Sequence, residues 1–358
     1  MRKIIAIFLP HQGCPHRCAF CHQPHITGVS ATLTPDDARR QIECALAEPK
    51  SRSKGATFEA AFYGGAFTGL PLPTQAQLLR TVQPYVARGD LSGIRLSTHP
   101  AMLNDDILAL LAAHSVTTVE LGAQSFDENV LRLARRGHSA EGVIQAARRL
   151  QNIGIAVGVH LMIGLPGDSR DISLQSARQA IALRPAFARL HPTLVIRGTL
   201  LEQWHQQGQY APLSLDEAVT TCKMMLVMFQ QRGIPVIRIG LQPTESLHQH
   251  IVAGAHHPAM RQLVESALFM DVMAAWRAAH PSARLTFAVA PADLSTARGQ
   301  RSANLRQLAA RFARAEIRIM AESAVPRGEI RCVAEGEFTP PIVSQVPLIA
   351  GNAAALPE

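Results

Sequence analysis

The sequence predicts an α/β fold, with repeated βα units around a parallel sheet and a smaller C-terminal α+β domain. Up to about residue 245, short β-branched or apolar runs alternate with amphipathic helical stretches, the pattern of βα units. Beyond that point a longer helical pattern replaces the alternation. A third observation concerns placement: the residues of unusual chemistry follow the strands, and parallel βα folds build their ligand sites at strand carboxyl ends.

The first strand, 3–9, is the apolar run Ile4-Ile5-Ala6-Ile7-Phe8-Leu9. Strands follow at 57–63, 93–97, 116–121, 155–161 and 187–196, with a seventh at 235–239. The helices between them carry start signals. Thr34-Pro35-Asp36-Asp37 offers an N-cap, a proline at the first helical position and acids against the helix dipole. Asn104-Asp105-Asp106 does the same before an apolar helical run. The C-terminal part reads as a helix at 258–279, a strand at 284–290, a helix at 300–313 and a strand at 315–321. The predicted organisation is a core over 1–245, an α+β domain over 246–345 and a loose, proline- and alanine-rich tail over 346–358.

Composition narrows the class. With 47% hydrophobic and 17% charged residues, and 24 glycines and 23 prolines in 358, disorder, collagen and coiled coil are excluded. No apolar run approaches the roughly 18 to 20 residues of a membrane span, so the expectation is a soluble, cytoplasmic protein with no membrane partner. Lys+Arg 35 against Asp+Glu 27 gives +8, a balance that speaks to anionic partners rather than to fold. Lys50-Ser-Arg-Ser-Lys54 and the arginines at 298, 301, 306, 311, 314 and 318 are candidate phosphate contacts, or solvated surface.

The chemistry-bearing loops are in register. Cys14 follows the first strand, Gly64-Gly65 the second, Ser97-Thr98-His99-Pro100 the third and Gly122-Ala-Gln124-Ser125 the fourth. Gly164-Leu-Pro166-Gly167 follows the fifth and Gly240-Leu-Gln242-Pro243 the seventh. Cys14, Cys18 and Cys21 form a C-x3-C-x2-C spacing on the first loop, three thiolates able to surround one compact metal centre. A structural zinc wants four closed ligands, and His16, His22 or His25 would complete them. Three cysteines around an iron–sulfur centre instead leave one coordination position open.

With Phe20 before the last cysteine, this loop resembles the cluster loop of the radical S-adenosylmethionine (SAM) superfamily. The resemblance implies a partial (βα)6-type barrel and a [4Fe–4S] cluster on Cys14, Cys18 and Cys21. It also implies S-adenosylmethionine chelated at the fourth iron, cleaved by one electron to a 5′-deoxyadenosyl radical that abstracts hydrogen. The electron would come from a flavodoxin- or ferredoxin-like reductant. Phe62 to Gly69, Val119 to Ser125, Arg136 to Ser139, His160 to Gly167 and Leu190-His191-Pro192 further resemble the Elongator catalytic subunit and its shorter bacterial relatives. On that resemblance Gly64 and Gly65 approach the methionine amino group, and Ser97 and His99 the cofactor carboxylate. Glu120 and Gln124 face the sugar or carboxylate, and the segment with Gly164 and Pro166 faces the adenine.

Two substrate classes follow, and a non-enzymatic alternative stands beside them. The Elongator-like motifs and the positive charge point to a tRNA base. The missing basic extension before the first strand points to a small metabolite or peptide. In the third reading the cysteines merely staple a loop around a cluster or a zinc ion. His191, Gln242, Glu245 and His257 are the candidates for the substrate side of the mouth. Cys44, Cys222 and Met224, Met225 and Met228 read as core, and Cys332 stands alone without partner spacing.

Overall fold

The computed structural model describes residues 2–15, 17–48, 57–280, 284–312, 317–335 and 342–347. The 50–54 basic run, Arg314 and residues 348–358 lie outside them. By internal contacts the chain forms two compact units, 1–214 with 234–256, and 215–233 with 257–358. A single cut at residue 245 instead leaves Leu215–Gln231 with the first unit. Its helix packs on Met260–Ala279, burying Cys222, Met225 and Phe229.

The described residues of the first unit form nine strands: β1 (Arg2–Phe8), β2 (Thr57–Tyr63), β3 (Leu91–Thr98), β4 (Val116–Gln124), β5 (Ala156–Ile163), β6 (Phe187–Pro192), β7 (Leu194–Ile196), β8 (Val236–Ile239) and β9 (Ile251–Gly254). Seven run parallel in the order β1-β2-β3-β4-β5-β6-β8. The order follows the chain, with a helix between successive strands, and the two end strands do not pair. This is the open partial barrel that the sequence predicts. Thr34 caps Pro35–Ala47 with a reciprocal bond to Asp37, and Asn104 caps Asp105–Ala113, as the start signals required. The core lies between sheet and helices, with Ile7, Phe62, Leu96, Leu121, Val159 and Leu190 among its buried residues.

The expected strand 187–196 is two strands. Thr193 directs both its amide and its hydroxyl to the carbonyl of Ile163, at 2.9 and 2.8 Å, which ends the alternation. The chain then leaves the sheet, and β7 pairs antiparallel with β9 in a separate ribbon. In the second unit, β10 (Arg284–Val289), β11 (Ile317–Ala321), β12 (Glu329–Glu335) and β13 (Ile342–Pro347) form a sheet in the order β11-β10-β12-β13. The β12–β13 pair was not expected, and it places Val346 and Pro347 in a strand instead of a loose tail. Cys44 is exposed on its helix, not core, while Cys222 and Cys332 are buried. Among the described residues no helix is long and apolar enough to cross a membrane.

Candidate active site

The cysteine loop is held by backbone on both flanks. Before Cys14 it lies on the turn after β2: the amide of Ala66 donates to the carbonyl of Gln12 at 3.1 Å. A Cβ on Gly65 would stand 2.2 Å from that same oxygen, and one on Gly69 would stand 1.9 Å from the carbonyl oxygen of Gly13. Only glycines permit two main chains to approach this closely. After Cys18 the amide of Ala19 donates to Ala134 at 3.0 Å, and the carbonyl of Ala19 accepts from Leu201 at 2.8 Å. The short helix Gln23–Thr27 then docks on Glu245–His250, where Thr244 and Ser246 hydroxyls donate to the carbonyls of Ile26 and His25, both at 3.0 Å.

All three cysteines are free thiols of intermediate exposure. Burial, reinforced by the neighbouring Cys18, pushes the Cys14 and Cys21 thiols up. A metal centre binding them must therefore displace protons. The opposing charge is Arg136, whose Nη1 donates to Cys18 Sγ at 3.0 Å and whose Nη2 donates to the carbonyl of Gly122 at 2.6 Å. Among the described residues no three His, Cys, Asp or Glu side chains are gathered as a single metal ion requires.

At the end of β4, Gln124 adopts φ 68°, a left-handed conformation that is costly for a residue with a side chain. Its Oε1 and the Nε of Arg136 are buried with no hydrogen-bond partner among the described residues. Both flank Gly122: a Cβ there would meet Gln124 Nε2 at 3.1 Å and Arg136 Nη2 at 3.3 Å. Buried polar atoms left unpaired call for an explanation, and a polar ligand at this mouth supplies one.

The β5 loop forms the third wall. Asp168 accepts from the amides of Gly164 and Ser169 at 2.7 and 2.9 Å and from the Ser173 hydroxyl at 2.7 Å. Its pKa is nevertheless raised, by burial first. Tyr210 donates to the carbonyl of Gly164 at 2.5 Å. Gly164, Pro166, Asp168, Trp204 and Tyr210 line a cavity of about 530 Å³. Phe20 packs on both apolar clusters beside it, one containing Leu165 and the other Val195 and Tyr210.

The sequence signature of the radical SAM superfamily matches residues 8–177, and that of the radical SAM C-terminal domain matches residues 185–270. The chain belongs to the radical SAM superfamily. It is an enzyme of that class, and the cofactors of the class are a [4Fe–4S] cluster and S-adenosylmethionine. A relative is the tRNA uridine(34) acetyltransferase of Dehalococcoides mccartyi, 34% identical over 123 residues, which are 34% of this chain and 27% of that protein. The uncharacterized protein YtqA of Bacillus subtilis is 26% identical over 260 residues, 68% of this chain and 80% of that one. Among solved structures, the Elp3 of Methanocaldococcus infernus with its N-terminus deleted superposes with a TM-score of 0.58 at 21% identity, covering 75% of this chain and 62% of that chain. The chain thus matches only about a quarter of the acetyltransferase's length.

Within this radical SAM core, two expected cofactor contacts are otherwise engaged. His99 Nδ1 accepts from the amide of Ala101 at 3.2 Å, and its Nε2 lies 2.6 Å from the carbonyl of Arg136. It therefore positions Arg136 instead of standing free for a carboxylate. Glu120 is consumed by a buried network: Tyr63 donates to it at 2.7 Å, Arg95 at 3.0 Å and Arg189 Nη2 at 3.1 Å. Arg95 also pairs with Glu59 at 2.8 Å. Ser97 donates to Phe62 at 3.4 Å, and Gly64 adopts φ 100°.

The substrate-side candidates scatter. His191 lies inside the barrel, its ring 4.1 Å from that of His160. Gln242 accepts from Arg238. Glu245 is exposed in the first turn of its helix. His257 belongs to the second unit, where its Nδ1 accepts from Ala259 at 3.0 Å. Sequence reasoning assigned no role to Arg136, Arg95, Arg189 or His160. For Arg95, Arg189 and His160 the available signal was a charged or polar residue inside a predicted strand, because a parallel strand is otherwise apolar on both faces; Arg136, in a loop, carried no such signal.

Proposed function

We propose that Cys14, Cys18 and Cys21 ligate the [4Fe–4S] cluster, that the adjoining mouth binds S-adenosylmethionine, and that the enzyme modifies a base of tRNA. The observation that carries the reading is the convergence of three thiols with unpaired Gln124 Oε1 and Arg136 Nε at the carboxyl ends of β1 and β4. When bound, the two cofactors supply one-electron cleavage of the sulfonium and a hydrogen-abstracting radical.

The chain's own residues have separate tasks. The glycine seam fixes where Cys14 stands, and the Ala19 amide and carbonyl fix the span between Cys18 and Cys21. Arg136 places a positive charge against the Cys18 sulfur and holds it by a hydrogen bond. Gln124 offers an acceptor to a ribose hydroxyl, and its backbone strain holds it toward the mouth. Phe20, Leu165 and the Gly164–Asp168 loop give an adenine ring apolar surface and excluded water. His99 and Glu120 position the groups around them.

The RNA reading is supported by the relatives named for tRNA uridine(34) and by a basic surface on the second unit. Arg298, Arg301, Arg306, Arg311 and Arg318 are all exposed there. Binding of tRNA by such a surface weakens steeply with salt as counterions are released. The deciding experiment mixes the anaerobically reconstituted enzyme with S-adenosylmethionine and dithionite, with and without bulk tRNA. Formation of 5′-deoxyadenosine that rises with tRNA supports the reading. An intact cluster with no deoxyadenosine in either arm overturns the chemistry, and deoxyadenosine unaffected by tRNA, with no salt-sensitive binding, overturns the substrate.

A further inference from the structure

Inside the partial barrel, three neighbouring strands bring four nitrogen-rich side chains together. The register sets Arg189 of β6 level with His160 of β5 on one side and with Arg238 of β8 on the other. His191, two residues past Arg189, shares its face. The His160 and His191 rings meet at 4.1 Å with an interplanar angle of 64°.

The charges of this layer do not balance. Two carboxylates, Glu59 and Glu120, serve Arg95 and Arg189. Arg238 has no ion pair among the described residues, and its side-chain partner is the neutral amide oxygen of Gln242. Like charges directly opposite on adjacent strands repel. Burial first, and Arg189 second, accordingly lower the Arg238 pKa.

Hydrogen bonding is also incomplete. The Nε2 atoms of His160 and His191 are buried without a hydrogen-bond partner among the described residues, and His191 as a whole is only 7% exposed. Burial keeps both rings neutral, lowering His160 to about 3 and His191 well below its ordinary value. Each neutral ring carries one N–H, and neither makes a hydrogen bond to the described residues. The layer has donors and positive charge in excess, and what it lacks is an anionic acceptor. No metal set of His, Cys, Asp or Glu is present among the described residues, and two arginines would repel a cation.

We propose that Arg238 and His191, backed by His160, form a subsite for an oxyanion of the substrate, a phosphate or a carboxylate. The subsite rests on the reading of this mouth as the active site. Arg238 lies on β8, at the opposite end of the strand order from β1 and its cysteine loop, with His191 on the adjoining β6, while His160 on β5 borders β4, the strand that carries Gln124. The guanidinium of Arg238 offers the fork geometry that recognises either oxyanion.

The test is anion binding by the anaerobically reconstituted enzyme, read as thermal stabilisation at constant ionic strength with chloride as reference. Inorganic phosphate and acetate are the probes, since a ligand that binds only the folded state raises its melting temperature saturably. Phosphate preference assigns a phosphate-bearing substrate, and acetate preference assigns a carboxylate. Arg238→Gln should weaken the preferred anion at least tenfold, Arg238→Lys should fall between, and the exposed Arg88→Gln should match wild type. His191→Phe gives the same comparison should Arg238→Gln fail to fold. The proposal is overturned if neither anion stabilises beyond chloride, or if the stabilisation survives both Arg238→Gln and His191→Phe. The measurement needs no turnover and no RNA. Its failure therefore leaves the radical chemistry standing, whereas saturable anion binding without deoxyadenosine formation would count against that chemistry alone.

Discussion

Gly69→Ala tests how the cysteine loop is held. The new Cβ would lie 1.9 Å from the carbonyl oxygen of Gly13, where real Cβ atoms keep at least 3.0 Å, so the two main chains must part by about 1 Å. No rotamer change relieves a backbone–backbone collision. The Gly69 side is firm: its amide donates to Ala66 at 2.8 Å, and Phe67 in the same turn is fully buried. The movement therefore falls on Gly13, one residue before Cys14. Overpacking of this size costs roughly 1–3 kcal/mol. A metal site tolerates displacements of only about 0.2 Å in its ligand distances, so the larger effect is on cluster assembly. Iron and acid-labile sulfide per chain after anaerobic reconstitution should fall severalfold, while thermal unfolding of the cluster-free protein stays cooperative. Gly142→Ala is the control, since its Cβ meets only the Ser139 hydroxyl at 3.4 Å. Wild-type iron content in Gly69→Ala, or an equal loss in Gly142→Ala, would refute the reasoning.

Other outcomes follow from the same geometry. Replacing Cys14, Cys18 or Cys21 by Ala should abolish both cluster absorption and 5′-deoxyadenosine, whereas Cys44→Ala should retain both; residual cleavage in Cys18→Ala would disprove the ligand assignment. Glu120→Gln strands Arg189 in the barrel, and breaking a buried pair costs about 3–5 kcal/mol. Calorimetry should therefore show the melting temperature falling by roughly 6–20 °C; the double replacement Glu120→Met with Arg189→Met should recover much of it, and additive losses would argue against the network. His160 titrates near 3 in the fold and near 6.5 unfolded, so acid protonates the unfolded chain first. Its contribution is complete above pH 6.5 and is lost as pH falls toward 3, at about 1.4 kcal/mol per unit. Urea midpoints between pH 7 and 5 should thus drop more steeply in wild type than in His160→Gln, and parallel slopes would contradict the buried neutral ring.

Much of the barrel was legible because βα alternation and helix caps are local signals. Thr34-Pro35-Asp36-Asp37 and Asn104-Asp105-Asp106 cap helices as their residue types demand. The cysteine loop was legible because three thiols in eight residues have few structural uses. What escaped depends on distant partners. Nothing near Arg95 in sequence announces that Glu59 and Glu120, on neighbouring strands, bind it. His99 read as a cofactor contact on the family resemblance, and the Arg136 carbonyl that occupies its ring was not visible in the sequence. The 187–196 run looked like one strand because its apolar character continues through the bend at Thr193, where two bonds to one carbonyl decide the break. The β12–β13 pairing was hidden by the proline- and alanine-rich composition at the end of the chain, which reads as a tail over 346–358.

The glycine seam and the docked 23–27 helix also bear on the life of the protein in air. A zinc finger folds only when its metal arrives, so losing the ion means losing the structure. Here the described loop residues between β1 and residue 27 are already held by main-chain bonds to Ala66, Ala134 and Leu201 and by the Thr244 and Ser246 hydroxyls. Assembly of the cofactor then requires little further ordering of the chain, and the entropy of loop closure is spent during folding. Oxygen damage to the iron centre would accordingly empty the site without unravelling its walls, leaving a chain fit to be refilled instead of degraded.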